Sequence, residues 1–160
     1  MSQHETFLWE AVRLAKNNRE RGGRPFAEVL AIDGQVVSTA VNDVVQSNDP
    51  TMHAEMEAVR AASRNLGRAD LRGSIVYASG HPCPMCLAAM VIAGVDAVYY
   101  AFDNDDAEPY GFSSKATYQK LRLSLEPPPL PLTRLDLGLS PAELYSAYLC
   151  NLRRTAGREY

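Results

Sequence analysis

Cysteine is scarce in this chain, with three in 160 residues. Two of them, Cys83 and Cys86, stand close together. That count excludes a disulfide framework and fits a reducing compartment. An excess of one charge is lacking too. A formal net charge of −3 gives no electrostatic case for nucleic acid or an anionic membrane surface. No apolar run approaches the ~20 residues of a membrane span. The N-terminus has no basic region followed by an apolar stretch, so no signal peptide is expected. There are no internal repeats and no second domain. What remains is ordinary: 46% hydrophobic and 22% charged residues. That suits one cytoplasmic-type domain over 1–160 with a real core.

Two short pieces stand out against this background. One is His53-Ala54-Glu55; the other is Pro82-Cys83-Pro84-Met85-Cys86. A histidine and two cysteines separated by two residues can supply three zinc ligands, His53, Cys83 and Cys86. Glu55 is left as an acid/base. Structural zinc sites close their tetrahedron with four protein ligands, whereas catalytic ones keep a position for water. Two thiolates and a neutral imidazole neutralise Zn²⁺ yet leave it able to acidify water to a pKa of about 7. Glu55 would then move a proton from that water to an aminated ring and its departing ammonia. The pattern is the signature of zinc-dependent nucleobase deaminases. A redox Cys-x-x-Cys pair has no second supporting feature here. A closed structural site would need Cys150 or His81 as a fourth ligand, and would leave Glu55 without a role.

The flanking residues predict where these groups sit. Asn48-Asp49-Pro50-Thr51 is turn-rich, and Met52, Met56, Val59 and Ala62 then recur at helical spacing. Asp49 or Thr51 is the expected cap, with Pro50 at the start and His53 and Glu55 in the first turn. Ser74 to Ser79 reads as a strand and Gly80-His81-Pro82 as a tight turn. Met85, Ala88, Ala89 and Ile92 mark an apolar helix face ending near Gly94. A helix N-terminus favours thiolate over thiol at the cysteines.

In chain order, Phe7 to Ala15 form an amphipathic helix reaching about Asn17, with Arg19-Glu20-Arg21 as a solvated end. Gly22 to Pro25 break it. Phe26 to Ile32 and Gln35 to Val41 pair as a hairpin across Asp33-Gly34. Ala97 to Ala101 is a strand after the cysteine helix. Strand, helix, strand with short connections implies a parallel crossover and hence a mixed sheet. Further on come an acidic, turn-rich run (103–114), a short helix around Tyr118 and Leu121, and a stiff proline segment (126–131). A strand over Leu132 to Leu137 follows. Ser140-Pro141-Ala142-Glu143 then forms a capping box opening a helix that carries Leu144, Tyr148 and Leu152.

Taken together, HETFLWEAVRLA, GRPFAEVL, SNDPTMHAEMEAVR, PCPMC, DAEPYGF and the terminal EY resemble the cytidine-deaminase-like superfamily, and most of all its bacterial guanine deaminases. The resemblance implies a three-layer α/β/α sandwich around a five-stranded mixed sheet. It places Zn²⁺ on His53, Cys83 and Cys86, with Glu55 as proton shuttle. It also implies Asn42 as a hydrogen-bond partner of the base, Phe26 as its packing partner, and the backbone at Ala54 against a ring carbonyl. The related enzymes are domain-swapped dimers. This implies a homodimer in which a segment of about 138–160 is exchanged and Tyr160 lines the neighbouring pocket.

Three positions depart from the pattern. His81 replaces a Glu before the Pro-Cys pair, and Ser114 replaces an acidic residue after Gly111-Phe112. Glu28 stands where a small residue is usual. A lost charged contact in a buried site alters discrimination, so Glu28, His81 and Ser114 are candidate specificity residues. The alternative for Glu28 is a side chain pointing to solvent. The expected activity is deamination of a free base, guanine first, with cytosine, guanosine, pterins or aminotriazines as alternatives. A tRNA adenosine deaminase would need a basic funnel, for which Arg153, Arg154 and Arg158 form the one cluster. A non-enzymatic zinc domain is the remaining alternative.

Overall fold

The computed structural model describes residues 1–146 and 148. Ser2 opens the first helix, α1 (Gln3–Glu20), through a reciprocal capping box with Glu5. The buried stripe of α1 is Leu8, Ala11, Val12 and Ala15, as the helical period requires. The chain then turns into β1 (Ala27–Ile32) and β2 (Gln35–Val41). Asp33 and Gly34 join them with φ of 49° and 72°. Two successive left-handed residues give the turn whose twist matches that of a hairpin.

A short helix α2 (Val44–Ser47) precedes α3 (Ala54–Leu66), and β3 (Ser74–Gly80) leads into α4 (Pro84–Ala93) and β4 (Ala97–Phe102). After α5 (Asn104–Ala107) and α6 (Lys115–Lys120), β5 (Leu132–Arg134) closes the sheet. The order is β2-β1-β3-β4-β5. β1 is antiparallel to both β2 and β3, whereas β3, β4 and β5 run parallel. The expected five-stranded mixed sheet is therefore present.

Strand alternation divides the core. Ala27, Val29 and Ala31 pack with the α1 stripe, together with Leu144 and Tyr145. Leu30, Val76, Ala78 and Val98 pack with Ala62 of α3 and with Cys86, Leu87 and Met90 of α4. The sheet thus lies between two helical layers. Among the described residues no helix is long and apolar enough to cross a membrane.

Several expectations need correction. The N-cap position of α3 is His53, which makes no side-chain capping bond, and not Asp49 or Thr51; Asp49 instead accepts the Thr51 N–H at 2.8 Å in a local turn. The buried face of α4 is Cys86, Leu87, Met90 and Ala93. The expected face is the outer one, with Ile92 86% exposed. This helix is apolar all round, so no polar residues mark its outside. The final strand stops at Arg134. Arg19 is not solvated: its guanidinium donates to the carbonyls of Glu143 and Leu144 at 2.8 and 2.9 Å. Ser140 and Glu143 form half of the expected capping box: the Ser140 N–H donates to Glu143 Oε2 at 2.8 Å, but the Glu143 N–H goes to the Ser140 carbonyl at 3.1 Å and not to its hydroxyl. The helix they open runs over 141–146 within the described residues.

Candidate active site

The sheet brings one set of strand ends together. Phe26 precedes β1 and Asn42 follows β2, and their backbones extend the ladder through Asn42 N–H to Phe26 O at 3.0 Å. Because β3 is antiparallel to β1, its carboxyl end lies on this same edge, and the parallel β4 ends there too. Ligand sites in α/β sheets form at such carboxyl ends.

Two helices start at this edge, and each places a donor at its N-cap: His53 for α3 and Cys83 for α4. Cys86 follows in the first turn of α4. His53 Nδ1 lies 3.6 Å from both sulfurs, and the sulfurs are 3.4 Å apart. Tetrahedral zinc with Zn–S of about 2.3 Å and Zn–N of about 2.0–2.1 Å requires donors roughly 3.5–3.8 Å apart. The three residues fit Zn²⁺, and the donor set of one imidazole and two thiols matches its preference. His81 is not part of this cluster, and Cys150 lies outside the described residues.

The two thiols behave as a pair. The hydrogen bond between the two sulfurs holds the Cys83 thiol far below the usual thiol range and pushes Cys86 up. The bond to Cys83 raises His53. Glu55, one residue into α3, is buried; that burial, followed by the nearby Cys83 sulfur, raises its pKa.

A cavity of about 1000 Å³ opens over the cluster. Glu55, His53 and Cys83 line its floor, and Phe26, Asn42, His81 and Ser114 line it as well. Ala54 and Glu28 do not. Ala54 is buried at the first position of α3, where a backbone N–H has no intrahelical acceptor. Glu28 is fully buried rather than solvent-facing, which corrects that alternative. Tyr160 lies outside the described residues.

Three further residues shape this edge. Tyr118 Oη donates to Pro82 O at 2.7 Å, and His81 Nδ1 lies 2.9 Å from the same oxygen. The same nitrogen lies 3.3 Å from the Asn104 amide nitrogen, so Nδ1 faces both a carbonyl and an NH2 group. Burial lowers the His81 pKa, which keeps the ring neutral. Asn104 Oδ1 accepts from both the backbone N–H and the hydroxyl of Ser114, at 2.8 and 3.0 Å. Asn18 Nδ2 donates to Arg24 O at 2.7 Å and Asn42 O at 2.8 Å. Asn18, Asn104 and Tyr118 escape sequence reasoning because they act on backbone or on partners distant in the chain. Asn18→Ala strands two carbonyls beside the cavity wall. It is expected to lower unfolding free energy by about 1–3 kcal/mol in urea titrations.

Two helix starts offering one imidazole and two thiols at a strand edge, with a buried glutamate beside them, define a zinc-dependent deaminase centre. The chain belongs to that family: residues 1–102 match the model of the cytidine and deoxycytidylate deaminase zinc-binding region. It is 40% identical over 145 residues to guanine deaminase of Bacillus subtilis (strain 168), covering 89% of this chain and 93% of that protein. The X-ray structure of guanine deaminase from Bacillus subtilis superposes with a TM-score of 0.73 at 36% identity, covering 99% of this chain and 96% of that one. Similarity to the tRNA-specific adenosine deaminase of Aquifex aeolicus (strain VF5) is 37% over 97 residues, or 61% of this chain and 64% of that protein.

Proposed function

We propose that this protein hydrolyses the exocyclic amino group of guanine, giving xanthine and ammonia, in purine metabolism of the cytoplasm. The observation that carries this is the buried Glu55 beside the His53, Cys83 and Cys86 donors, lining a cavity large enough to admit a free base. His53, Cys83 and Cys86 would hold zinc, which would supply the Lewis acidity that turns water into a nucleophile near neutral pH. Glu55 carries one proton from the attacking water to the ring nitrogen, then a second from the new C–OH group to the amine, which leaves as ammonia while the carbonyl forms. One water is consumed and one ammonia released. Phe26 packs on the ring, Asn42 hydrogen-bonds its edge, and the Ala54 N–H at the start of α3 donates to a ring carbonyl.

A base within tRNA is the less favoured substrate. Arg24 is the one Lys or Arg side chain among the described residues lining the cavity, and the net charge is −3. Backbone recognition of nucleic acid needs several such contacts.

We read the working unit as a homodimer in which Tyr160 reaches the neighbouring pocket. Leu121 and Leu123 support this reading: both line the cavity yet are 57% and 51% exposed, an unfinished apolar rim.

Ammonia release from guanine, cytosine, adenine, guanosine, pterins and aminotriazines tests the substrate. Guanine is expected to react fastest. Faster release from tRNA, with salt-sensitive binding, would overturn the free-base reading.

A further inference from the structure

Strand β1 carries an acid in its core. Glu28 is 0% exposed, and its cross-strand neighbours are both alanines, Ala40 on β2 and Ala78 on β3. The two small residues leave room for the longer side chain. Alternation puts Glu28 on the face of Leu30, toward α3 and α4, and away from the α1 layer that receives Ala27 and Val29. It therefore rises behind the floor of the cavity. Neither carboxyl oxygen has a hydrogen-bond partner among the described residues.

An ionised carboxylate without a partner is strongly disfavoured in such surroundings. Burial first, and then the nearby Glu55, push the Glu28 pKa well above the usual carboxylate range. A protonated carboxyl has one O–H to place, and a buried donor without an acceptor calls for an explanation. The neighbouring acceptor of matching chemistry is Glu55, buried in the first turn of α3.

We propose that Glu28 is a positioning residue for Glu55: its carboxyl O–H supports the Glu55 carboxylate from the sheet side through one bridging water. Glu55 is thereby held in one rotamer, with its other oxygen toward the cavity. The proposal rests on the reading of Glu55 as proton carrier. Outer partners of this kind orient the groups that touch substrate, and losing one typically costs about 10–100-fold in activity.

The test uses the full zinc-loaded chain. Glu28→Met keeps the volume and removes the donor. It is expected to lower kcat by about 10-fold or more with KM nearly unchanged and zinc content intact. Glu28→Gln still donates an N–H and should restore kcat to within about threefold of the parent. Glu28→Ala takes the place of Glu28→Met if that variant does not fold. A stability cycle with Glu55→Ala reads the pair without catalysis: coupled residues give non-additive unfolding shifts. An unimpaired Glu28→Met, a Glu28→Gln as damaged as Glu28→Met, or an additive cycle would each overturn the proposal. A parent protein that releases no ammonia from any base sinks the deaminase reading instead, and the cycle still decides whether Glu28 and Glu55 are paired.

Discussion

Glu55→Ala is expected to abolish ammonia release, by roughly 10²–10⁴-fold, while zinc stays bound. The size follows from what the residue does twice in each turnover. The attacking water must lose a proton, and the amine must gain one before it can leave as ammonia. One carboxyl that accepts and then donates serves both steps, and its usefulness depends on a pKa lifted toward working pH. Burial provides that lift at Glu55. The Ala variant removes the carrier without touching the donors His53, Cys83 and Cys86, so metal analysis should match the parent. The fold should not suffer either, because the change removes a buried acid from the first turn of α3. Single-turnover ammonia assays alongside metal content check both halves. A Glu55→Ala protein that retained most of its activity would refute the assignment.

How much of this could be read beforehand depends on whether a residue's partner leaves a mark in the chain. His53, Cys83 and Cys86 were legible because their types and spacing have few other uses. The hairpin was legible because Asp33-Gly34 suits left-handed backbone between two alternating runs. The outward face of α4 was not, since Met85, Ala88 and Ile92 are as apolar as the residues that are buried. The same ambiguity hid Glu28. β1 is covered on both faces, so alternation there cannot mark a solvent side. Asn18 and Tyr118 hold backbone carbonyls of Asn42 and Pro82, and a carbonyl belongs to every residue. Their roles became visible only when the strand edges met.

The second large effect is on the metal. Cys86→Ser is expected to release zinc and to lower the melting temperature by on the order of 10 °C relative to the zinc-loaded parent. The donors stand at the starts of α3 and α4, where both helix dipoles present their positive ends. A dication is acceptable there because two thiolates cancel its charge. Serine supplies no charge at neutral pH, and Cys86 is the fully buried member of the pair, where water cannot substitute. The loss should exceed the roughly 10–100-fold in affinity that an outer-shell change costs. Zinc at a thousandfold excess over its Kd stabilises the native state by about 4 kcal/mol, which a chain of this size reads as ~8–16 °C. Chelator treatment of the parent should reproduce the same shift. Unlike a zinc finger, the apoprotein should still unfold cooperatively, because the cluster on the α1 side of the sheet contains none of the donors. A Cys86→Ser protein with full zinc content and an unchanged melting temperature would exclude Cys86 as a ligand.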